Sequence, residues 1–306
     1  MSTLPNDHRT RMDRARLALD GLSVGDALGE TCFHPDNSKA LLEDPRATAA
    51  GPWPWTDDTA MALSIFDVLE EHGRIHQDVL AKRFAARFAA EPWRGYGGGA
   101  FRMLGAVVGG ADWRDAVQSM FGGQGSFGNG SAMRIAPLAG YFAEDDFATI
   151  AEQASLASAV THAHPEGISG GIAIAVAGAY AWKNRQRCSN PAVKQAIFEE
   201  VLKHTPPGEV REGIEHASIV SLELSVDASS RLLGNGSRIS CQDTVPFCVW
   251  IAAKHMDDYP AAVVQTIRAG GDIDTNAAIV GGIVSLATGQ DAIPADWLAN
   301  REQLLI

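Results

Sequence analysis

The chain has 306 residues, of which 46% are hydrophobic and 20% are charged, and its formal net charge at pH 7 is −12. This composition is ordinary for a globular protein with a sizeable core. The acidic balance argues against a nucleic-acid partner, because no basic stripe is available to replace the counterions of a phosphate backbone.

Three further observations predict a cytoplasmic protein. Residues 1–16 are polar and contain no apolar segment of the signal-peptide type. The longest apolar stretches, such as residues 172–182, are too short to cross a bilayer, so no membrane partner is expected. The four cysteines (Cys32, Cys188, Cys241 and Cys248) lack the spacing of a metal site and are expected to be reduced thiols.

The hydrophobic periodicity is helical along the whole chain, and no convincing alternating strand is present. Glycine, at 31 residues, is concentrated between the helical stretches, and no repeat or low-complexity linker divides the chain. We therefore expect residues 1–306 to form a single all-α domain. The predicted helices span residues 11–28, 61–73, 78–90, 100–108, 113–120, 147–162, 167–182, 192–204, 210–224, 246–255, 261–268 and 275–287.

Two short acidic clusters stand just ahead of apolar helical stretches, at residues 56–59 (Thr-Asp-Asp-Thr) and 272–275 (Asp-Ile-Asp-Thr). Carboxylates crowded into one site repel each other, so a fold that joins the clusters needs protons or a cation. Oxygen ligands are those that hard ions such as Mg²⁺ prefer. Each cluster alone is also consistent with a helix N-cap and favourable dipole charge. The pair, with the flexible Gly270-Gly271 before the second cluster, predicts one binuclear metal centre.

Two glycine-rich segments, residues 95–99 and 122–130, also precede predicted helices. Backbone N–H groups in such segments can hold phosphate oxygens, although surface turns use the same residues. Phe121 and Phe127 flank the second segment and are either core aromatics or a stacking pair for a base. Beside two acidic clusters, these segments would suit a diphosphate-containing ligand and a pair of metal ions.

Six segments, in this order along the chain, resemble the ADP-ribosylglycohydrolase family, which includes the dinitrogenase-reductase-activating glycohydrolases and the ADP-ribosyl-acceptor hydrolases. They are residues 25–29, 55–59, 95–99, 125–134, 161–164 and 270–275. The resemblance extends over nearly the whole chain, roughly residues 11–286. Any one segment is weak evidence, but the set in this order is specific.

The resemblance implies a compact orthogonal multi-helix bundle with a central cleft that binds two Mg²⁺ (or Mn²⁺) ions. It implies metal ligands at Thr56, Asp57, Asp58, Asp272, Asp274 and Thr275. It implies a diphosphate site at Gly97, Gly98, Gly99, Ser126, Phe127, Gly128 and Asn129. Phe121 and Phe127 would sandwich the adenine, and His162 would hydrogen-bond a ribose.

The expected activity is metal-dependent hydrolysis of the bond between ADP-ribose and an acceptor, either a protein side chain such as arginine or serine or a small molecule. Cleavage develops oxocarbenium-like charge at C1″ of the distal ribose, which carboxylates stabilise. Metal ions orient the ribose hydroxyls and lower the pKa of a bound water. Asp58 is the first candidate for the activating carboxylate, with Asp57 and Glu30 as further candidate catalytic carboxylates.

The sequence departs from the family pattern at Glu30. Members active on modified proteins commonly place a glutamate a few residues beyond the segment at 25–29, whereas Glu30 follows Gly29 directly and Cys32 or Phe33 stands near the usual position. Glu30 reaches the cleft by another path, or the acid/base lies elsewhere, or the substrate differs. Two alternatives therefore stay open: hydrolysis of another ribosyl or nucleotide conjugate, and a catalytically silent ADP-ribose sensor.

Two other motifs are interpreted as structural. Residues 21–25 and 167–171 match a nucleophile-elbow pattern, but that motif needs a preceding strand and both segments lie in helical contexts. His162, His164 and Glu166 suggest zinc ligands, but Pro165 breaks the helix that would present them together.

Overall fold

The computed structural model of the chain describes residues 4–44 and 47–305. Within these residues the secondary structure is helical, and strand pairing is limited to two isolated bridges, Trp53 with Arg301 and Gly128 with Ser240. The helices are α1 His8–Thr31, α2 Pro35–Glu43, α3 Asp57–His72, α4 Gln77–Ala90, α5 Gly98–Val108, α6 Trp113–Gln118, α7 Met120–Gly123, α8 Ala136–Tyr141, α9 Phe147–Ala159, α10 Pro165–Lys183, α11 Pro191–His204, α12 Glu209–Ile219, α13 Val226–Leu233, α14 Cys241–Lys254, α15 Tyr259–Arg268, α16 Ile273–Thr288 and α17 Ala295–Asn300. Short 3₁₀ turns lie at Asn129–Ser131, Arg185–Arg187 and Gln290–Ala292.

The all-α prediction is confirmed, and the differences lie in short helices and at helix ends. Helices α2, α8, α13 and α17 were not predicted, because they are six to nine residues long and too short to show a clear hydrophobic periodicity. The helix predicted at 210–224 ends at Ile219, because Val220 adopts extended backbone. The helix predicted from Pro246 begins at Cys241, and the proline ring sits inside it against Gly213 of α12.

Helices α1 and α16 pack with their backbones in contact. The glycines that make this approach possible recur every fourth residue on one face of α1. A Cβ atom added at Gly25 would lie 2.1 Å from the carbonyl oxygen of Ala277, and one at Gly29 would lie 2.7 Å from the Cα of Asp274. Glycine is required at these positions because any side chain would push the helices apart. This contact brings the middle of α1 beside the N-terminus of α16.

The C-terminal segment buttresses the chain just before α3. The backbone of Trp53 bonds to Asn300 and Glu302, at 2.6 and 2.9 Å. Arg94 donates to both carboxylate oxygens of Glu302, at 2.6 and 2.7 Å, and its guanidinium lies 3.5 Å from the centroid of the Trp55 ring. The carbonyl of Arg94 accepts a bond from the N–H of Asp57, at 2.7 Å. The end of the chain thereby fixes the position of the first acidic cluster.

No helix in the described part of the chain combines the length and the apolar character that crossing a membrane requires.

Candidate functional site

The two acidic clusters lie at the N-termini of two helices that meet on α1. Thr56 is the N-cap of α3, and Asp57 and Asp58 form its first turn. Asp272 is the N-cap of α16, and Asp274 lies in the first turn. The partial positive charge of both helix N-termini favours the ionised carboxylates, which partly offsets their mutual repulsion.

Asp26 of α1 holds the first cluster in place. Its fully buried carboxylate accepts bonds from the backbone N–H of Thr56 and of Thr59, at 3.0 and 3.1 Å. It also accepts from the hydroxyls of the same two threonines, at 2.9 and 2.5 Å. Asp26 had no role among the predictions from the sequence. A carboxylate within an otherwise apolar and glycine-rich helical face is a signal that could have pointed to it, because charged residues are rarely buried without partners.

The carboxylates have the spacing of a cation site. Oxygens of Asp26, Asp58 and Asp274 lie within 4.8 Å of one another. Oδ1 of Asp58 and Oδ1 of Asp274 are buried, and neither accepts a hydrogen bond from any residue in 4–44 or 47–305. Buried carboxylate oxygens without donors are costly unless a cation coordinates them. The donor set is oxygen only, which fits Mg²⁺ or Mn²⁺.

Burial dominates the electrostatics of the cluster. Burial, and next the neighbouring charge of Asp26, raise the pKa of Asp57 to about 7 and that of Asp274 to about 8. Burial also raises the pKa of Asp58 well above its usual value and that of Asp272 above its own. For Asp26 the same effect is partly cancelled by its hydrogen bonds, and its pKa is about 6. A divalent cation would remove the repulsion that these shifts reflect.

A cavity of about 420 Å³ opens above the carboxylates and contains most of the predicted site residues. The carboxylates at its base are Asp57, Asp58, Asp272 and Asp274, with Thr275 beside them. The predicted ligand-binding residues on its walls are Gly97, Gly98, Gly99, Phe121, Ser126, Phe127, Gly128, Asn129 and His162. The structure thus brings both glycine segments and both acidic clusters to one cavity. Its walls also include Met61, Met103, Met133, Arg134, Arg238 and Ile239, to which the sequence analysis gave no ligand role.

The first glycine segment is the beginning of α5. Gly97 is the N-cap and Gly98 and Gly99 form the first turn, so their backbone N–H groups have no partner within the helix. A Cβ added at Gly97 would meet nothing within 4 Å. This helix end is therefore open to an anionic group in the cavity.

The two predicted stacking residues lie at the rim. Phe121 is 53% exposed and has a φ of 53°, an uncommon conformation for a bulky residue. Phe127 is 42% exposed, and its ring contacts that of His164 edge to face. Neither ring belongs to the core, so the interpretation of both as core aromatics is excluded. Their stacking on a base stays a prediction.

Asn129 and His162 are already engaged with protein groups. The amide of Asn129 donates to Oδ2 of Asp272 and to the hydroxyl of Thr244, at 2.7 and 3.0 Å. Its side chain therefore orients a predicted metal ligand. His162 is buried, and its Nδ1 lies 2.7 Å from the hydroxyl of Thr161.

Glu30 lies in the last turn of α1 and is half-buried. It is not among the residues that line the cavity. Burial raises its pKa, and its charge contributes to the raised pKa of Asp274. Glu30 is therefore near the cluster but outside the lining of the cavity, and its catalytic role stays a prediction. At the neighbouring positions, Cys32 is buried and Phe33 is 51% exposed.

In the two motifs interpreted as structural, Glu166 and Ser23 form hydrogen bonds within the fold. The carboxylate of Glu166 accepts the backbone N–H groups of Glu209 and Val210, both at 2.8 Å, and so caps α12 rather than facing His162. Ser23 lies inside α1 and its hydroxyl accepts a bond from Arg301, at 2.7 Å.

The chain is similar to known proteins in sequence and in fold. The chain is 27% identical to ADP-ribosylhydrolase ARH3 of Danio rerio over 332 residues, which covers 95% of this chain and 87% of the relative. It is also 27% identical to ADP-ribosylhydrolase ARH3 of Homo sapiens, with 81% of this chain and 74% of the relative covered. A solved structure described as an ADP-ribosylglycohydrolase-related protein complex has the same fold, with a TM-score of 0.67 and 22% identity over 96% of this chain and 94% of that one.

The model of the ADP-ribosylglycohydrolase family matches residues 7–305, which is nearly the whole chain. The chain belongs to the ADP-ribosylglycohydrolase family.

Proposed function

We propose that this protein is a divalent-cation-dependent hydrolase that releases ADP-ribose from a protein side chain or a small acceptor. The observation that carries the proposal is the convergence of Asp57 and Asp58 with Asp272, Asp274 and Thr275 at one cavity. Two of the buried carboxylate oxygens there have no donor among the residues that the structure describes. The family membership and the similarity to relatives named ADP-ribosylhydrolase support the same activity.

The ions would be held by the six predicted ligands, Thr56, Asp57, Asp58, Asp272, Asp274 and Thr275. The hydroxyl of Thr56 lies within 3.0 Å of both Asp26 and Asp58, and its single proton can satisfy only one of these carboxylates. Two bound Mg²⁺ or Mn²⁺ ions would supply orientation of the ribose hydroxyls and a lowered pKa for water. Asp26 has its oxygens occupied by threonine donors and serves to position the ligands.

The walls of the cavity fit the rest of an ADP-ribosyl group. The N-terminus of α5 at Gly97–Gly99 and the backbone of Ser126–Asn129 would hold the diphosphate. Phe121 and Phe127 at the rim would contact the adenine. With the diphosphate and the adenine held in this way, the distal ribose would lie at the base of the cavity, next to the carboxylates.

In the reaction, water forms a bond to C1″ while the bond from C1″ to the acceptor breaks. Asp57, Asp58, Asp272 and Asp274 stabilise the positive charge that develops on the ribose. Asp58, whose Oδ1 has no donor in the described part of the chain, accepts the proton of the attacking water. The acceptor departs with the electron pair of the broken bond and takes up a proton from solvent, and Asp58 then releases its own proton to solvent.

The activity is tested by incubating the protein with ADP-ribosyl-arginine, ADP-ribosyl-serine and O-acetyl-ADP-ribose and measuring free ADP-ribose. We expect release from at least one of these, loss of release in EDTA, and recovery with Mg²⁺ or Mn²⁺. Release that is indifferent to chelation would contradict the proposal. Replacing the exposed Asp13 by Asn provides a matched control for Asp58→Asn, because Asp13 lies on the outer face of α1.

The position of Glu30 favours one second candidate, a sensor that binds ADP-ribose without hydrolysing it. Glu30 does not line the cavity, and the usual family position is occupied by Cys32 or Phe33. A sensor predicts metal-dependent binding of ADP-ribose in calorimetry, no turnover of any conjugate, and no effect of Glu30→Gln. A hydrolase in which Glu30 acts predicts a large loss of turnover in the same variant.

A further inference from the structure

His162 stands at the turn that follows α9, with its two ring nitrogens in different surroundings. Nδ1 faces the hydroxyl of Thr161 at 2.7 Å. Nε2 faces the second glycine segment: a Cβ added at Gly128 or Gly130 would lie 3.6 or 3.5 Å from this nitrogen. Because both positions are glycine, Nε2 has free space on the cavity side.

The hydroxyl of Thr161 is also bonded to a buried arginine. Arg134 is fully buried, and its Nη2 donates to Oγ1 of Thr161 and to the carbonyl of Ala157, at 2.7 and 3.1 Å. Its guanidinium lies 4.6 Å from the centroid of the Phe84 ring, which fixes its plane. A guanidinium is a donor only, so Oγ1 of Thr161 must be the acceptor of this bond.

The direction of the second hydrogen bond follows. Since Oγ1 accepts from Arg134, the proton of Thr161 is free to donate, and Nδ1 of His162 is its only acceptor within reach in the described part of the chain. If Nδ1 carried a proton instead, that hydroxyl proton would be buried without an acceptor, which is unfavourable. Nδ1 therefore accepts, and in a neutral ring the proton lies on Nε2.

The ring is neutral over the whole physiological range. Burial, and to a lesser degree the charge of Arg134, lower the pKa of His162 to about 3. A neutral imidazole with its proton on Nε2 can donate a hydrogen bond toward the cavity but cannot take a proton from water there.

We propose that Arg134 and Thr161 are positioning residues, which hold His162 as a fixed Nε2–H donor aimed at an acceptor oxygen of the ligand beside the backbone of Gly128–Gly130. The inference rests on the proposed function for the identity of the ligand, but the state of the ring is a property of the ligand-free protein. His162 is by this account a recognition group and not an acid or a base.

The first experiment is ¹⁵N NMR of the histidine side chains in the ligand-free protein, with His162→Gln to assign the signals. We expect Nε2 protonated and Nδ1 unprotonated from pH 5 to pH 8. Thr161→Val should give a mixture of tautomers, and Thr161→Ser should restore one. Thr205→Val is the matched control, because it removes another buried hydroxyl, one that bonds to the carbonyl of Val201. A protonated Nδ1 in the wild-type protein would overturn the proposal without reference to any variant.

The second experiment is calorimetry with ADP-ribose and Mg²⁺. Loss of a fixed donor should weaken binding by about 3- to 10-fold in Thr161→Val, the range that one hydrogen bond contributes. Thr161→Ser should bind like the wild type. Equal affinity in wild type and Thr161→Val, with the tautomer changed, would overturn the role in recognition. If the wild type does not bind ADP-ribose, the proposed function fails, and the NMR result still decides the state of the ring.

Discussion

Replacing Gly25 by alanine is expected to destabilise the protein and to weaken its binding of divalent cations. The added Cβ would lie 2.1 Å from the carbonyl oxygen of Ala277 and 2.6 Å from its carbonyl carbon. Both are backbone atoms of α16, so no side-chain rotation relieves the overlap. Because ordinary contact begins near 3.4 Å, the two helices must separate by about 1 Å.

The magnitude is a balance of two effects. Overpacking in a well-packed interior costs about 1–3 kcal/mol, and alanine in place of glycine in a helix gains about 0.5–1 kcal/mol. Since the overlap is with backbone atoms, we expect an overpacking cost near the upper end of this range. The net loss in the free energy of unfolding is then about 1–2 kcal/mol. The same displacement moves Asp26 relative to Asp274, so affinity for Mn²⁺ should also fall.

Gly105→Ala in α5 is the matched control, because the nearest atom to its added Cβ, in Phe88, lies 3.9 Å away. This variant should be stabilised by about 0.5–1 kcal/mol. Urea denaturation in EDTA measures both variants without a contribution from metal. A Gly25→Ala protein that is as stable as Gly105→Ala would refute the description of the contact between α1 and α16.

Three further predictions concern the carboxylate cluster. Asp58→Asn should lower affinity for Mn²⁺ in calorimetry by more than about 100-fold, whereas Asp13→Asn should leave it unchanged. Burial raises the pKa of Asp274 to about 8, so the metal-free folded protein binds this proton more tightly than the unfolded chain does, and its stability falls as pH rises toward 8. The rise in thermal midpoint on adding Mg²⁺ should therefore grow from pH 6 to pH 8, and a rise that is constant over this range would argue against proton–metal competition. Glu302→Gln weakens the ion pair with Arg94 and should reduce the free energy of unfolding by at most about 1 kcal/mol, since Glu302 is partly exposed. A larger loss would show that the C-terminal segment stabilises the protein more than its contacts indicate.

The long helices were predictable because each buries a continuous apolar face. Helix α16, for example, has Ala277–Ala287 buried without interruption, and the expected helix at 275–287 differs from the observed bounds by one or two residues. The ends were less predictable. Asp274 lies in the first turn of the helix rather than in a loop, because Asp272 begins the helix as its N-cap.

The acidic clusters were recognisable from the order of residues in the sequence, but the residues that support them were not. Asp26 bonds to residues that are 30 or more positions away in sequence, and Arg134 bonds to a residue 27 positions away. Such pairings depend on tertiary packing. Periodicity reports which face of a helix is buried, not which polar group of another helix it meets. The position of Glu30 was ambiguous for the same reason, since α1 continues about one turn further than expected and includes Glu30, which does not line the cavity.

The central claim is that the two acidic clusters, from opposite ends of the sequence, form one binuclear cation site. The direct measurement is a crystal structure grown with Mn²⁺ and analysed by anomalous scattering. The account predicts two anomalous peaks between the first turns of α3 and α16, coordinated by Asp57, Asp58, Asp272 and Asp274. Absence of a peak at this position in Mn²⁺-containing crystals, with the carboxylates turned away from one another, would contradict it.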